Sequence, residues 1–157
     1  MDSRRRNVLK TGSGATLLAL LAAAGWLKPG HAHAQAWNKG AFETKTMDET
    51  MKALGGGTPA QSTGIAFVST PDIAENGAVV PIGIASTLPK TEAIAILVEK
   101  NPNMLAAVFE IPPGTDPAIS TRVKMGQTSN VYELVKADGK YYVGSKEIKV
   151  TLGGCGG

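Results

Sequence analysis

The sequence predicts an all-β fold, an immunoglobulin-like antiparallel β-sandwich with a short N-terminal helix and a flexible C-terminal arm. From residue 63 onward, apolar residues recur with period two, which is typical of strands with one buried face. Turn residues divide this pattern into seven or eight short strands over about 90 residues. The chain then ends in four glycines around its only cysteine, a stretch with nothing to pack. A closed barrel is the main alternative to the sandwich.

Residues 1–34 are predicted to be an export signal that is removed from the folded protein. Arg5 and Arg6 stand before the residues NVLK, a pattern that resembles a twin-arginine signal. An apolar stretch and the small residues AHAQA follow, which favours cleavage after Ala34, with Ala36 as a second option. An uncleaved anchor is the alternative, but the apolar run is shorter than the ~20 residues that a spanning helix needs. We therefore expect a periplasmic protein.

Loss of the signal changes the charge and the chemistry of the chain. The full sequence has a net charge of +3, whereas the part after residue 34 has eleven basic and twelve acidic side chains. Binding to nucleic acid or to an anionic membrane therefore loses its support. Both histidines, His31 and His33, are also removed. Without histidine, a catalytic triad, a Cys-His pair and the usual zinc sites are excluded, so we expect no metal and no catalytic residues.

Residues 35–62 are predicted to form a helical segment and a linker. Thr46 with Glu49 three residues later makes a capping box. Met47, Met51 and Leu54 give an apolar face at helical spacing, which we expect to pack on the core. Gly55 is a typical residue for the position after the helix. The glycine run 55–57 lacks the Lys-Ser/Thr of a phosphate loop and reads as a linker.

The β-sandwich is predicted over residues 63–152. The runs TGIAFVS and GAVVPIGIAS have strand length, and Pro81 implies an edge position or a bulge in the second. The run EAIAILVEK is apolar on both faces, as in a central strand, and MLAAVFEI follows the turn NPN as its hairpin partner.

Three further runs complete the predicted sheets. One face of AISTRVKM carries Ile119, Thr121, Val123 and Met125. The runs NVYELVK and KYYVGSK flank Asp138-Gly139, a pair that favours a primed hairpin turn. In EIKVTL, Ile148, Val150 and Leu152 share one face. Leu152 is the last residue with a packing role in this pattern.

The arm, residues 153–157, presents the thiol of Cys155 on a thin and mobile segment. Three residues from Leu152 to Cys155 reach at most ~11 Å. No histidine activates this thiol, so it is suited to being modified by other proteins rather than to catalysis. We interpret the arm as a covalent carrier. Three alternatives stay open: an accidental thiol, an intermolecular disulfide in a structural module, and activation of the terminal Gly-Gly carboxylate.

The terminus GGCGG, after an export signal and a β-rich domain, resembles that of the SoxY family of sulfur carriers, as does the stretch DIAENGAVVPI over residues 72–82. The resemblance implies that Cys155 is the site of covalent attachment, carrying thiosulfonate and persulfide species, with no bound cofactor. It also implies a flexible arm made of Gly153, Gly154, Gly156 and Gly157.

The resemblance further implies partners. A SoxZ-like β-sandwich subunit would form a heterodimer with this chain. A SoxXA-like haem enzyme would join thiosulfate to the thiol oxidatively, and a SoxB-like manganese hydrolase would release sulfate. A SoxCD-like dehydrogenase would oxidise the remaining sulfur. The chain itself would be a carrier and not an enzyme.

Overall fold

A computed structural model describes residues 38–151 and contains an immunoglobulin-like β-sandwich with a helical segment on its outer side. The predicted fold class is thereby confirmed, and the barrel is excluded, because the strands form two separate sheets. The elements, in chain order, are a 3₁₀ helix (Lys39–Glu43), α1 (Met47–Ala53), β1 (Ala60–Gln61), β2 (Ile65–Val68), β3 (Ile73–Ala74), β4 (Val80–Ser86), β5 (Thr91–Val98), β6 (Leu105–Glu110), β7 (Ala118–Val123), β8 (Ser129–Ala137) and β9 (Lys140–Val150).

The larger sheet has the strand order β1-β9-β8-β5-β6, with β3 also paired to β9, and the smaller has the order β2-β4-β7. The long strand pairs are antiparallel, whereas the two-residue strands β1 and β3 run parallel to β9. As predicted, β5 is a central strand and β6 is its hairpin partner. β9 is the last strand in the chain, so the chain leaves the sandwich from the end of β9.

The predicted helix is confirmed as α1. The hydroxyl of Thr46 accepts the N–H of Glu49, and the Glu49 carboxylate accepts the N–H of Lys45, one residue before the cap. At the other end, Gly55 has φ +73°, which a glycine adopts without strain. The 3₁₀ helix before α1 was not predicted. None of the helices in the described part of the chain is long and apolar enough to cross a membrane.

The structure has two apolar clusters. The inter-sheet core joins the inner faces of both sheets and includes Ile82, Ile94 and Ile148. The second cluster lies on the outer face of the larger sheet, where Met51 of α1 and Ala41 of the 3₁₀ helix are buried. The apolar face predicted for the helix therefore packs on the outer side of the larger sheet and is not part of the inter-sheet core.

The prediction that Pro81 marks an edge strand or a bulge is wrong, because β4 lies between β2 and β7 and pairs in regular register on both sides. The β2 ladder ends where Val68 meets Gly83. The N–H groups of Gly83 and Thr87 point to the β2 side, so the nitrogen of Pro81 points there too, beyond the last paired residue. A missing donor at that position costs no ladder bond.

The Asp138-Gly139 turn is confirmed, since both residues have positive φ, 49° and 73°, as a type I′ turn requires. The runs KYYVGSK and EIKVTL, however, are one strand, because β9 continues through Gly144 and Ser145 without a break in its pairing to β8. Val150, the last residue of β9, therefore lies at the opposite end of the sheet from the turn.

Candidate functional site

The predicted attachment site begins where β9 ends. Cys155 and the glycines of the arm (Gly153, Gly154, Gly156 and Gly157), together with Leu152, lie outside the described residues, as do the export-signal residues Arg5, Arg6 and Ala34. The structure describes the base from which the arm leaves, up to Thr151. Cys155 lies four residues beyond Thr151, so the thiol reaches at most ~14 Å from this base.

One side of the base is held by β3. The N–H of Lys149 donates to the carbonyl of Asp72 at 2.9 Å, and the N–H of Thr151 donates to the carbonyl of Ala74 at 3.1 Å. These bonds continue main-chain pairing one residue past the end of β9. The chain is therefore tied to the sandwich up to Thr151, the last described residue.

Thr128 holds the other side of the base. The β8–β9 ladder ends at the pair Ser129 and Ile148. Beyond this pair, the N–H of Val150 donates to the hydroxyl of Thr128 at 3.0 Å, and that hydroxyl lies 3.5 Å from the carbonyl oxygen of Val150 as a weak donor. A side chain thus replaces the neighbouring strand at the last residue of β9.

A lysine of β9 fixes the segment that carries β3. The Lys146 ammonium lies 2.9 Å from the Asp72 carboxylate and donates to the carbonyl of Thr70 at 2.6 Å. The lysine side chain is mostly buried, whereas the aspartate is exposed. Because the carbonyl contact does not depend on the exposed partner, Lys146 keeps this segment in place even when the ion pair is screened by salt.

A buried carboxyl group lies near this lysine in the inter-sheet core. Glu133 of β8 has no exposed surface, and neither of its carboxyl oxygens has a hydrogen-bond partner among the described residues. It lies opposite Gly144 of β9, where an added Cβ would contact Ile65 and Phe67 of β2. Burial raises the pKa of Glu133 to about 9, and the positive charge of Lys146 lowers it only in part. The group is therefore protonated at neutral pH.

Neither Thr128 nor Glu133 was predicted from the sequence, and β3 lies in the stretch DIAENGAVVPI, whose contact with β9 was not predicted. Glu133 could have been found, because it has the same strand parity as the buried Val131 and Val135. Thr128 could not have been found, since its partner Val150 is 22 residues away and no pattern links the two.

An open groove of about 460 Å³ lies between the glycine run after α1 and the start of β9, including Tyr141 and Tyr142. The groove and the base lie at opposite ends of β9. This strand has eleven residues, so its two ends are ~33 Å apart. The groove is thus too far from the base for the thiol to enter it. Within residues 38–151, no group of three histidine, cysteine, aspartate or glutamate side chains is arranged to hold a metal ion.

Comparison with known proteins gives a family match. The profile of the family described as "Sulfur oxidation protein SoxY" matches residues 50–155, which include the sandwich and Cys155. The solved sulfur carrier protein SoxY from Chlorobium limicola f thiosulfatophilum is 38% identical, with a TM-score of 0.60, over 67% of this chain and 96% of that chain.

Other similarities are weaker. A superoxide reductase (neelaredoxin) variant from Ignicoccus hospitalis is 15% identical with a TM-score of 0.49, over 59% of this chain and 83% of that chain. With so low an identity and TM-score, this similarity gives no information about function. No curated protein gave a significant match.

Proposed function

Because the chain belongs to the SoxY family of sulfur carriers, we propose that it holds thiosulfate-derived sulfur covalently on Cys155 and presents it to other enzymes. The observation that carries this proposal is the extent of the family match, which runs from α1 through the strands to Cys155. Cys155 is also the only cysteine of the chain, so no other residue offers the same attachment chemistry.

The geometry of the base supports this role. The chain is bonded to the sandwich on both edges of β9 up to Thr151, and only the short glycine-rich arm follows. The arrangement thus joins the fixed sandwich to a narrow glycine-rich arm. A partner enzyme that binds the body then meets the thiol within a limited distance, which raises its effective concentration at the active site.

The chemistry of such a carrier requires other enzymes besides this protein. In the first step, the Cys155 thiol and thiosulfate join through a new S–S bond and lose one proton and two electrons, which a SoxXA-like haem enzyme accepts. In the second step, water displaces the terminal sulfonate as sulfate, leaving a persulfide on Cys155, and a SoxB-like hydrolase catalyses this step. A SoxCD-like enzyme would then oxidise the persulfide sulfur.

The proposal also includes a location and a stable partner. The twin-arginine pattern at Arg5 and Arg6 supports export to the periplasm, with cleavage after Ala34. A SoxZ-like subunit is proposed as the second half of a heterodimer. Because twin-arginine export moves folded proteins, a partner without its own signal could cross the membrane together with this chain.

Mass spectrometry of the protein isolated from thiosulfate-grown cells tests the proposal. Thiosulfonate or persulfide adducts are expected on the C-terminal peptide and should be absent after Cys155→Ser. A free thiol without any adduct during thiosulfate oxidation would contradict the carrier role. A stoichiometric mixed disulfide with another chain would instead support the structural module.

A further inference from the structure

The last residue of β9 is bonded in an unusual way. Antiparallel strands normally end with main-chain pairs, but the neighbour of Val150 is the side chain of Thr128. The Thr128 hydroxyl accepts the N–H of Val150 and also faces the carbonyl oxygen of Val150. Part of the backbone that leads into β8 is bound to Asn101. Asn101 accepts the Gly126 N–H at 3.4 Å and donates to the Lys124 carbonyl at 2.7 Å.

The other edge of the base is held by only two residues of strand. β3 consists of Ile73–Ala74, and the carbonyl of Ala74 accepts from Thr151, while that of Asp72, just before the strand, accepts from Lys149. An isolated two-residue parallel pair is a weak restraint, since parallel pairing is less stable per residue and so short a strand has little cooperativity. The end of β9 therefore needs the Thr128 bonds on its second edge to stay in the sheet.

We propose that Thr128 is a positioning residue that fixes the point where the carrier arm begins and thereby sets the arm's length. With the Thr128 bonds in place, Cys155 lies four residues beyond Thr151, a reach of at most ~14 Å. Without them, the strand frays back to Ile148, Cys155 lies seven residues beyond that residue, and the reach grows to ~25 Å.

This inference rests on the proposed carrier function and concerns the delivery of the sulfur. Effective concentration falls roughly as the −3/2 power of tether length, so growth from four to seven residues lowers it about twofold. Docking of a partner on the sandwich is unaffected by this change. The expected signature is thus a lower kcat of the partner enzyme with an unchanged KM.

Three variants test the inference. Thr128→Val has the same shape without the hydroxyl, and Thr128→Ser restores the hydroxyl. The matched control is Thr87→Val, which loses a similar bond from a threonine hydroxyl to a carbonyl, that of Gly64, at the end of β4 away from the arm. Each variant is made in the complete protein and compared with the unaltered chain.

The first measurement is amide hydrogen exchange at Val150 and Thr151 by NMR, which does not depend on sulfur. We expect about tenfold faster exchange in Thr128→Val, as for loss of one buried hydrogen bond, and normal exchange in Thr128→Ser and Thr87→Val. Unchanged exchange in Thr128→Val would overturn the inference.

The second measurement is the rate of sulfur loading by the haem enzyme of the same organism with thiosulfate. We expect kcat to fall about twofold in Thr128→Val at constant KM, while iodoacetamide alkylates Cys155 at the unaltered rate. An equal kcat despite faster exchange would also overturn the positioning role. If the unaltered protein takes up no sulfur, the proposed function fails, and the exchange experiment alone decides whether Thr128 fixes the arm.

Discussion

The buried carboxyl group of Glu133 predicts an unusual dependence of stability on pH. Its pKa is about 9 in the folded protein, against a usual value of 4.5 that applies when the chain is unfolded. Between these values the unfolded chain has lost the proton and the folded protein has kept it. The unfolded state then binds fewer protons, so the free energy of unfolding must fall as pH rises from 4.5 to 9.

The size of the effect follows from the same two values. Each pH unit inside this window costs ~1.4 kcal/mol, so the penalty is about 3 kcal/mol at pH 7. Glu133→Gln keeps the shape and a neutral polar group but cannot ionise. We therefore expect the variant to gain about 4 kcal/mol over the unaltered protein when the pH is raised from 5 to 8.

Urea unfolding followed by circular dichroism at pH 5, 6, 7 and 8 measures this difference. The control is Glu147→Gln, which removes an exposed carboxylate from β9 and should follow the unaltered protein at every pH. The reasoning is refuted if the unaltered protein has equal stability at pH 5 and 8. It is also refuted if Glu133→Gln loses stability with pH as steeply as the unaltered protein does.

Two further predictions concern the scaffold. Gly83→Ala should lower the free energy of unfolding by ~1–3 kcal/mol, because a Cβ there would collide with the carbonyl oxygen of Val68. Gly57→Ala, where a Cβ meets nothing within 4 Å, is the control, and equal urea midpoints for the two variants would contradict this account. Thr46→Ala should cost ~1 kcal/mol by removing the cap bond to Glu49, with Thr46→Ser as the control. Thermal unfolding measures this, and no change in Thr46→Ala would mean that α1 does not depend on its cap.

Local signals in the sequence predicted most of the fold. The capping box at Thr46 and the Asp138-Gly139 turn each depend on residues close in sequence, and both were found as predicted. The position of Pro81 was misjudged because its cost depends on where the neighbouring strand ends, which the sequence of β4 does not contain. Likewise, KYYVGSK and EIKVTL read as separate runs in the sequence, but continuous pairing with β8 joins them in one strand, β9.

The candidate site, too, was predicted only in the part that depends on local sequence. Cys155 was predicted as the attachment site from the terminal GGCGG together with the export signal and the β-rich domain, all of which are local patterns in the sequence. The base of the arm depends on contacts across long stretches of chain, such as Thr128 with Val150 and Lys146 with Thr70. Such contacts have no local signature, so only the structure could identify them.

The central claim, that Cys155 is the sulfur carrier, is tested most directly by a pulse-chase experiment. The purified protein is loaded by the haem enzyme with thiosulfate that is isotopically labelled at its sulfone sulfur, and trypsin then releases residues 150–157 as one peptide, because Lys149 precedes them. The account predicts the label on that peptide and its release as sulfate when the hydrolase is added, with neither in Cys155→Ser. Label that stays on the peptide, or sulfate that forms equally fast with Cys155→Ser, would contradict it.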